Sequence, residues 1–385
     1  MSTILKPFRN LFSPVKPIPA GSYHFQAPQE DPRNYRLHLR VEEDGCGLLI
    51  VNASTVLHLN ETAAEYAFYF INNTPAAEVA HNMSRRYSVD PEQASEDYRN
   101  FNERVLILIE TPDLDPITFL DFNRQEPYSG TISAPYRVDC ALTYQLPESH
   151  DPDYAPTKRV ARELTTEEWL KVLDKTWHAG IPHVIFTGGE PTLREDLPQI
   201  IEHVEVNGQV SGLLTDGLRL ADKDYFDSLL QTGLDHLLIL LHPEIETTWK
   251  SLNNILEDDI FTAVHLTITH QNAHSVMDYL GRLANIGVKD ISLSTNTHEL
   301  DPALEAARNR TASLDMELVW DIPVPFSAHN PVAVEVESQE IEHPTGSGRA
   351  WIYIEPDGDV TPTQGDEQVL GNLLTDPWET IWTYS

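Results

Sequence analysis

The chain has 385 residues, 41% of them hydrophobic, enough for two or three domains with a substantial core. Sixty acidic against 26 basic residues give a formal charge of −34, a field that repels phosphate backbones and argues against a nucleic-acid partner. Only Cys46 and Cys140 are cysteines, no apolar run reaches membrane-span length, and no signal-peptide core is present, so a cytoplasmic location without a transmembrane segment is expected.

Met1 to Ala20 break the acidic pattern. Lys6, Arg9 and Lys16 occur there without an acidic residue, and Ile4, Leu5, Phe8, Leu11 and Phe12 recur at helical spacing. Pro7, Pro14, Pro17 and Pro19 limit any helix to about two turns. Residues 1–34 are read as an arm. Two uses suit it, docking to a partner or membrane surface and lying on the protein's own acidic face; the second is favoured.

Residues 35–112 have the pattern of a separate α+β domain. Leu37 to Val41 alternate as a strand, and Leu48 to Val51 and Ser54 to Leu59 give two more, with Asn52 as a turn residue between them. Asn60 and Thr74 are placed to cap two helices, and Asp90 with Pro91 opens a third through Val105. Strands followed by three helices make a winged-helix-like unit. A DNA-reading version needs a basic face, and Arg85, Arg86 and Arg99 are scattered among acids. The string from Leu59 through Thr74 to Phe101 resembles the peptide chaperone of pyrroloquinoline quinone biosynthesis, the prototype of leader-peptide-recognition domains. That resemblance implies a precursor peptide lying on the strand Ser54–Leu59 and against the third helix, near Val56, His58, Tyr98 and Phe101. Residues 113–135, interrupted by Pro116 and Pro127, are read as a linker with one strand at Ile117–Leu120.

From Tyr136 to about residue 325 a strand-then-helix unit recurs. Val138–Tyr144, Val184–Thr187, Gly212–Thr215, His236–Leu241, Ala263–His270 and Val288–Ser294 are the strands, with Glu317–Trp320 a candidate seventh. Thr165 to Glu168 is a capping box; Gly180 and Asn207-Gly208 stop helices. Such alternation gives a parallel sheet with right-handed crossovers.

Within this region Val184 to Leu197, VIFTGGEPTLREDL, ends a strand on two glycines and a glutamate. Ligands of open α/β sheets bind beyond such carboxyl ends. The string resembles the GGEP motif of radical S-adenosylmethionine enzymes, whose glycines and glutamate hold the methionine amino group. The resemblance implies a partial (β/α)6 TIM-like barrel and a remnant cofactor pocket from Gly188, Gly189, Glu190, Pro191, Thr215 and Asp216. Thr215-Asp216-Gly217 stands where the family often has Thr-Asn-Gly. The family also places CxxxCxxC after the first barrel strand to hold a [4Fe-4S] cluster, and here Leu146, His150 and Asp153 occupy those positions.

Residues 326–385 include WIYIEPDGDVTPT, a hairpin with an Asp-Gly turn, and resemble the start of the SPASM extension. Thr363 stands at its first auxiliary cysteine, which makes the extension truncated and without cluster cysteines. Three expectations follow. No cofactor and no [4Fe-4S] cluster are expected, with S-adenosylmethionine binding left open. No metal is expected; His150, Asp153, His242 and His270 at the carboxyl face are the alternative ligand set. The function expected is that of a cluster-free pseudoenzyme that binds a precursor peptide, a partner modifying enzyme, or both, in ribosomal-peptide modification. The alternatives are a catalyst using S-adenosylmethionine without radicals or a His/Asp-bound metal, and a structural subunit of a larger assembly.

Overall fold

Alternating strands and capped helices build the first part of the chain much as the sequence pattern requires. The computed structural model describes residues 17–28, 31–33, 35–53, 55–111, 132–147, 160–295, 297–319 and 346–382, in two units, Met1–Ser129 and Gly130–Ser385. In the first unit β1 (Gly21–Gln26), β2 (Arg36–Val41), β3 (Gly47–Val51) and β4 (Thr55–Leu59) form an antiparallel sheet in that order. The strand β1, inside the interval read as an arm, pairs along β2 from Gly21↔Val41 to Gln26↔Arg36. Asn52 and Ala53 take the left-handed conformation that reverses the chain between β3 and β4.

Three helices follow: α1 (Glu61–Ile71), α2 (Ala76–Tyr87) and α3 (Pro91–Glu110). Asn60 accepts from Ala63 N–H at 2.9 Å, and Asp90 accepts from Glu92 N–H with Pro91 in the first turn. Thr74 does not cap α2. Its N–H instead closes the end of α1 on Tyr69 O at 2.9 Å, and α2 begins after Pro75. Leu39, Leu49 and Leu57, aligned across three strands, pack with Ala67, Val79, Met83 and Val105 as this unit's core.

The second unit is built on a ten-stranded sheet. Its parallel series is β5 (Arg137–Thr143), β6 (His183–Gly188), β7 (Val210–Thr215), β8 (His236–Leu240), β9 (Phe261–Ile268), β10 (Asp290–Thr295) and the short β11 (Glu317–Leu318). Between and after these strands run α4 (Thr166–His178), α5 (Leu197–Asn207), α6 (Lys223–Leu230), α7 (Glu246–Ile255), α8 (Val276–Ile286) and α9 (Asp301–Ser313). Val138, Cys140, Phe186, Leu213, Ile239, Leu266 and Leu293 face the core shared with these helices. Ile185, Leu214, Leu238 and Ala263, at alternate positions, form a separate cluster on the other face. This mixed α/β unit with a parallel sheet is the partial-barrel class expected from the sequence.

The Thr165–Glu168 capping box is present, and Gly180 and Gly208 adopt the positive φ expected beyond helix ends. The hairpin of β12 (Trp351–Ile354) and β13 (Asp359–Thr361) turns at Gly358, and β14 (Gly371–Asn372) pairs with β13. It is no appendage: β12 lies parallel to β5, with Ile352 opposite Val138. A last turn of helix, α10 (Trp378–Ile381), follows. The strand expected at Ile117–Leu120, Trp320 and most of the basic arm lie outside the described residues. Among the described residues no helix is long and apolar enough to cross a membrane.

Candidate functional site

The strand β6 delivers Gly188 and Gly189 against the chain leaving β5. A Cβ on either glycine would stand 2.2 Å from a carbonyl oxygen, Thr143 for Gly188 and Gln145 for Gly189. Gly189 N–H donates to Thr143 O at 2.7 Å and Glu190 N–H to Gln145 O at 2.8 Å. Thr143 Oγ1 and Tyr144 N–H in turn donate to Glu163 Oε1.

Glu190 is buried at the mouth. Its Oε1 accepts from Thr192 N–H at 2.9 Å, Thr192 Oγ1 at 2.5 Å and Thr215 Oγ1 at 2.7 Å, and its Oε2 accepts from Asp216 N–H at 2.8 Å. Asp216 Oδ1 accepts from Leu218 N–H at 2.7 Å. Burial, and then the neighbouring Asp216 charge, push the Glu190 carboxyl up to about 8; burial pushes Asp216 up to about 6. The structure brings together Gly188, Gly189, Glu190, Pro191, Thr215 and Asp216 at adjacent strand ends.

Sequence reasoning missed the polar side chains on the inner strand face. His265 Nδ1 lies 3.0 Å from Ser292 Oγ, and its Nε2 lies 3.0 Å from Ser294 Oγ and 3.2 Å from Thr267 Oγ1. Burial holds this imidazole down to about 3, so it is neutral. Further down the strands, His183 and His236 approach Nε2 to Nε2 at 3.3 Å, and Arg137 pairs with Asp139 at 2.8 Å beneath the Trp351 ring. Beside the mouth, Tyr144 donates its hydroxyl to Glu355. The signal was legible as alternation: His265 and Thr267 interleave with Val264, Leu266 and Ile268.

The alternative metal set does not assemble among the described residues, which contain no group of three His, Cys, Asp or Glu able to hold an ion. His242 is half-buried after β8, and His270 is exposed with Glu299 at 3.5 Å. His150 and Asp153 lie outside the described residues.

In the first unit, Tyr98 and Phe101 are buried against Tyr66, with ring centroids 5.8 and 6.3 Å away. They share a core with Leu57 and Leu59. Val56 and His58, at the intervening positions of β4, point to the other face and are half-buried. The four candidate residues thus flank β4 on two faces and do not line one groove.

Residues 140–242 match the family described as the Radical SAM superfamily. That stretch, from within β5 to just past β8, is similar to Radical SAM domains. PqqA peptide cyclase of Granulibacter bethesdensis is 32% identical over 112 residues, 28% of this chain and 29% of that protein. Fe-coproporphyrin III synthase of Methanosarcina barkeri is 27% identical over 189 residues, 40% of this chain and 47% of that protein. The chain thus spans less than half the length of either relative. Streptococcus suis SuiB bound to precursor peptide SuiA shares the fold over 94% of this chain and 89% of that one, with a TM-score of 0.59 and 12% identity. SuiB bound to S-adenosylmethionine matches 94% and 88%, with a TM-score of 0.56 and 14% identity.

These matches correct one expectation. A Radical SAM domain binds S-adenosylmethionine and normally an iron–sulfur cluster, and SuiB is solved with S-adenosylmethionine, so the expectation of no cofactor and no [4Fe-4S] cluster does not stand. It rested on the cysteine count and on Leu146, His150 and Asp153 standing where the family has thiolates, and of these His150 and Asp153 lie outside the described residues. The cysteines themselves do not fit the family's three-thiolate set. Cys140 is fully buried inside β5, where burial pushes its thiol well above the usual range, and Cys46 belongs to the other unit. At the glycine turn the space a Cβ would take is filled by the Thr143 and Gln145 carbonyls, and the Glu190 oxygens already accept bonds from the chain itself.

Proposed function

We propose that this protein binds a precursor peptide in ribosomal-peptide modification, taking an extended peptide segment along the free edge of β4. One observation carries the reading: among the described residues β4 pairs with β3 alone, at the end of the sheet, in a chain whose other unit contains a stretch matching the Radical SAM superfamily. An unpaired edge offers main-chain donors and acceptors to a further strand, and side chains such as Val56 and His58 add selection. Tyr98 and Phe101 support the core behind β4 and do not touch the peptide. The names of PqqA peptide cyclase and of SuiB with its precursor peptide support the same class of partner. The cellular setting proposed is the cytoplasm, with both cysteines as free thiols. Calorimetric titration of the full chain with candidate precursor peptides from its gene neighbourhood tests the reading: stoichiometric binding supports it, and no heat together with no displacement of a labelled peptide defeats it.

A second reading is that the chain serves a partner modifying enzyme and does not itself generate the radical. The buried Cys140 thiol and the distribution of the cysteines favour it. Its test is the formation of 5′-deoxyadenosine by the reconstituted protein alone under reducing, anaerobic conditions; turnover of S-adenosylmethionine by this chain on its own sinks it.

A further inference from the structure

The face of the first unit's sheet that lies opposite its helices is ordered in rows that end at the open edge of β4. Ser22, Arg40, Leu48 and His58 stand level across the four strands, and His24, His38, Ile50 and Val56 form the next row. Alternation puts both rows on the side away from Leu39, Leu49 and Leu57, which pack with the helices. Arg36 shares that side, two residues before His38. Two arginines and three histidines thus gather on one sheet face of a chain whose formal charge is −34.

Burial falls off toward the edge. Arg36, His38 and Arg40 on β2 are buried, as are Leu48 and Ile50 on β3, whereas Val56 and His58 on β4 are half-buried. The helix side of β4 has less to offer a ligand, since Leu57 and Leu59 are already covered by the unit's own core. Selection along this edge therefore falls to Val56 and His58. Burial, and then the Arg40 charge, hold the His58 imidazole below its ordinary value, so at neutral pH it is an uncharged ring with one N–H to donate. Two acids stand at this end of the sheet. Glu42 accepts from Arg40 Nε at 3.1 Å, and Glu61 lies against the β2–β3 turn, its Cγ 3.3 Å from where a Cβ on Gly45 would stand. A carboxylate beside His58 would accept its N–H with Arg40 on the same row, while a cationic side chain there would face the Arg40 charge.

We propose that the open edge of β4 selects peptides with an acidic side chain level with His58 and an apolar side chain level with Val56, two residues away. The inference rests on the peptide reading given above and deepens it from strand addition to sequence preference. Successive side chains of an added strand alternate between faces, so residues two apart meet His58 and Val56 together. Side chains directly opposite on neighbouring strands stand about 4.5–5.5 Å apart at Cβ, close enough for a carboxylate to reach the His58 ring.

Competition binding to the full chain tests this, with candidate precursor peptides from the gene neighbourhood as probes and each Asp or Glu replaced in turn by Asn or Gln. One acidic position should dominate, its neutral form binding the parent about fivefold more weakly, the size of a cross-strand charged pair. The same replacement should cost nothing in His58→Thr, which keeps a strand-forming residue at the edge. Changing an apolar residue two positions from that acid to Ser should also weaken binding to the parent. Binding indifferent to every acidic position, or an acid whose loss costs as much in His58→Thr as in the parent, overturns the inference and leaves peptide capture standing. Peptides that do not bind at all overturn both. If His58→Thr fails to fold, the response of the parent to the neutralised peptides decides alone.

Discussion

Gly189 lies so close to Gln145 that a Cβ on the glycine would stand 2.2 Å from the Gln145 carbonyl oxygen and 2.9 Å from its carbon. The contact is backbone against backbone, so no side-chain rotation relieves it. Gly189→Ala should therefore cost about 1–3 kcal/mol of stability, within the range for overpacking. Gly188→Ala should be at least as costly, because φ there is +122° and the Thr143 oxygen is equally near. Chemical denaturation checks both, and a loss below about 0.5 kcal/mol in either contradicts the packing described.

Gly212 serves a second close approach, on the inner strand face. A Cβ there would meet His236 Nε2 at 2.1 Å, so Gly212→Ala should displace the imidazole and break its 3.3 Å contact with His183. The His236 ring resonances in an NMR spectrum should shift, with about 1–3 kcal/mol of destabilisation. Unchanged resonances contradict the placement.

Acid should weaken the second unit through its buried neutral histidines. Burial lowers His236 to about 4, with Arg137 contributing, and His265 to about 3. Unfolded histidines titrate near about 6.5, so the unfolded chain binds more protons below that pH. The stability these rings contribute is intact above about pH 6.5 and is lost as pH falls toward 4 and 3. His265→Gln should flatten the acid limb of a melting-temperature profile; an identical limb contradicts the neutral assignment.

The barrel was legible because parallel strands buried on both faces read as short apolar runs, and Val184 to Gly189 stood out among them. Glu190 was legible as a site residue but not in what it holds. Thr215 and Asp216 come to it only when β7 lies beside β6, a register the string does not state. The strand β1 was missed: Gly21 to Gln26 follow a proline-rich stretch and are partly exposed, so no apolar run marks them. Tyr98 and Phe101 read equally well as a peptide groove or as core, since periodicity marks a covered face without saying what covers it. His242 and His270 share a position after their strands, yet His270 turns to Glu299.

Lys175 fastens the C-terminal segment to α4. Its ammonium donates to Leu373 O at 2.6 Å, Asp376 O at 2.9 Å and Leu374 O at 3.3 Å. Lys175→Met keeps the stem and removes these bonds, at a cost of about 1.5–3 kcal/mol. Limited proteolysis should then cut between Leu370 and Trp382 faster than in the parent. Equal cutting rates contradict the role.

Hydrogen exchange at the amides of Thr55 to Leu59, read by mass spectrometry in the full chain with and without the neighbouring precursor peptide, tests the central claim most directly. A peptide strand added to the open edge of β4 should slow exchange there and leave β1, at the far edge of the sheet, unchanged. Peptide bound with no change in β4 exchange, or with protection at β1 instead, would contradict the account.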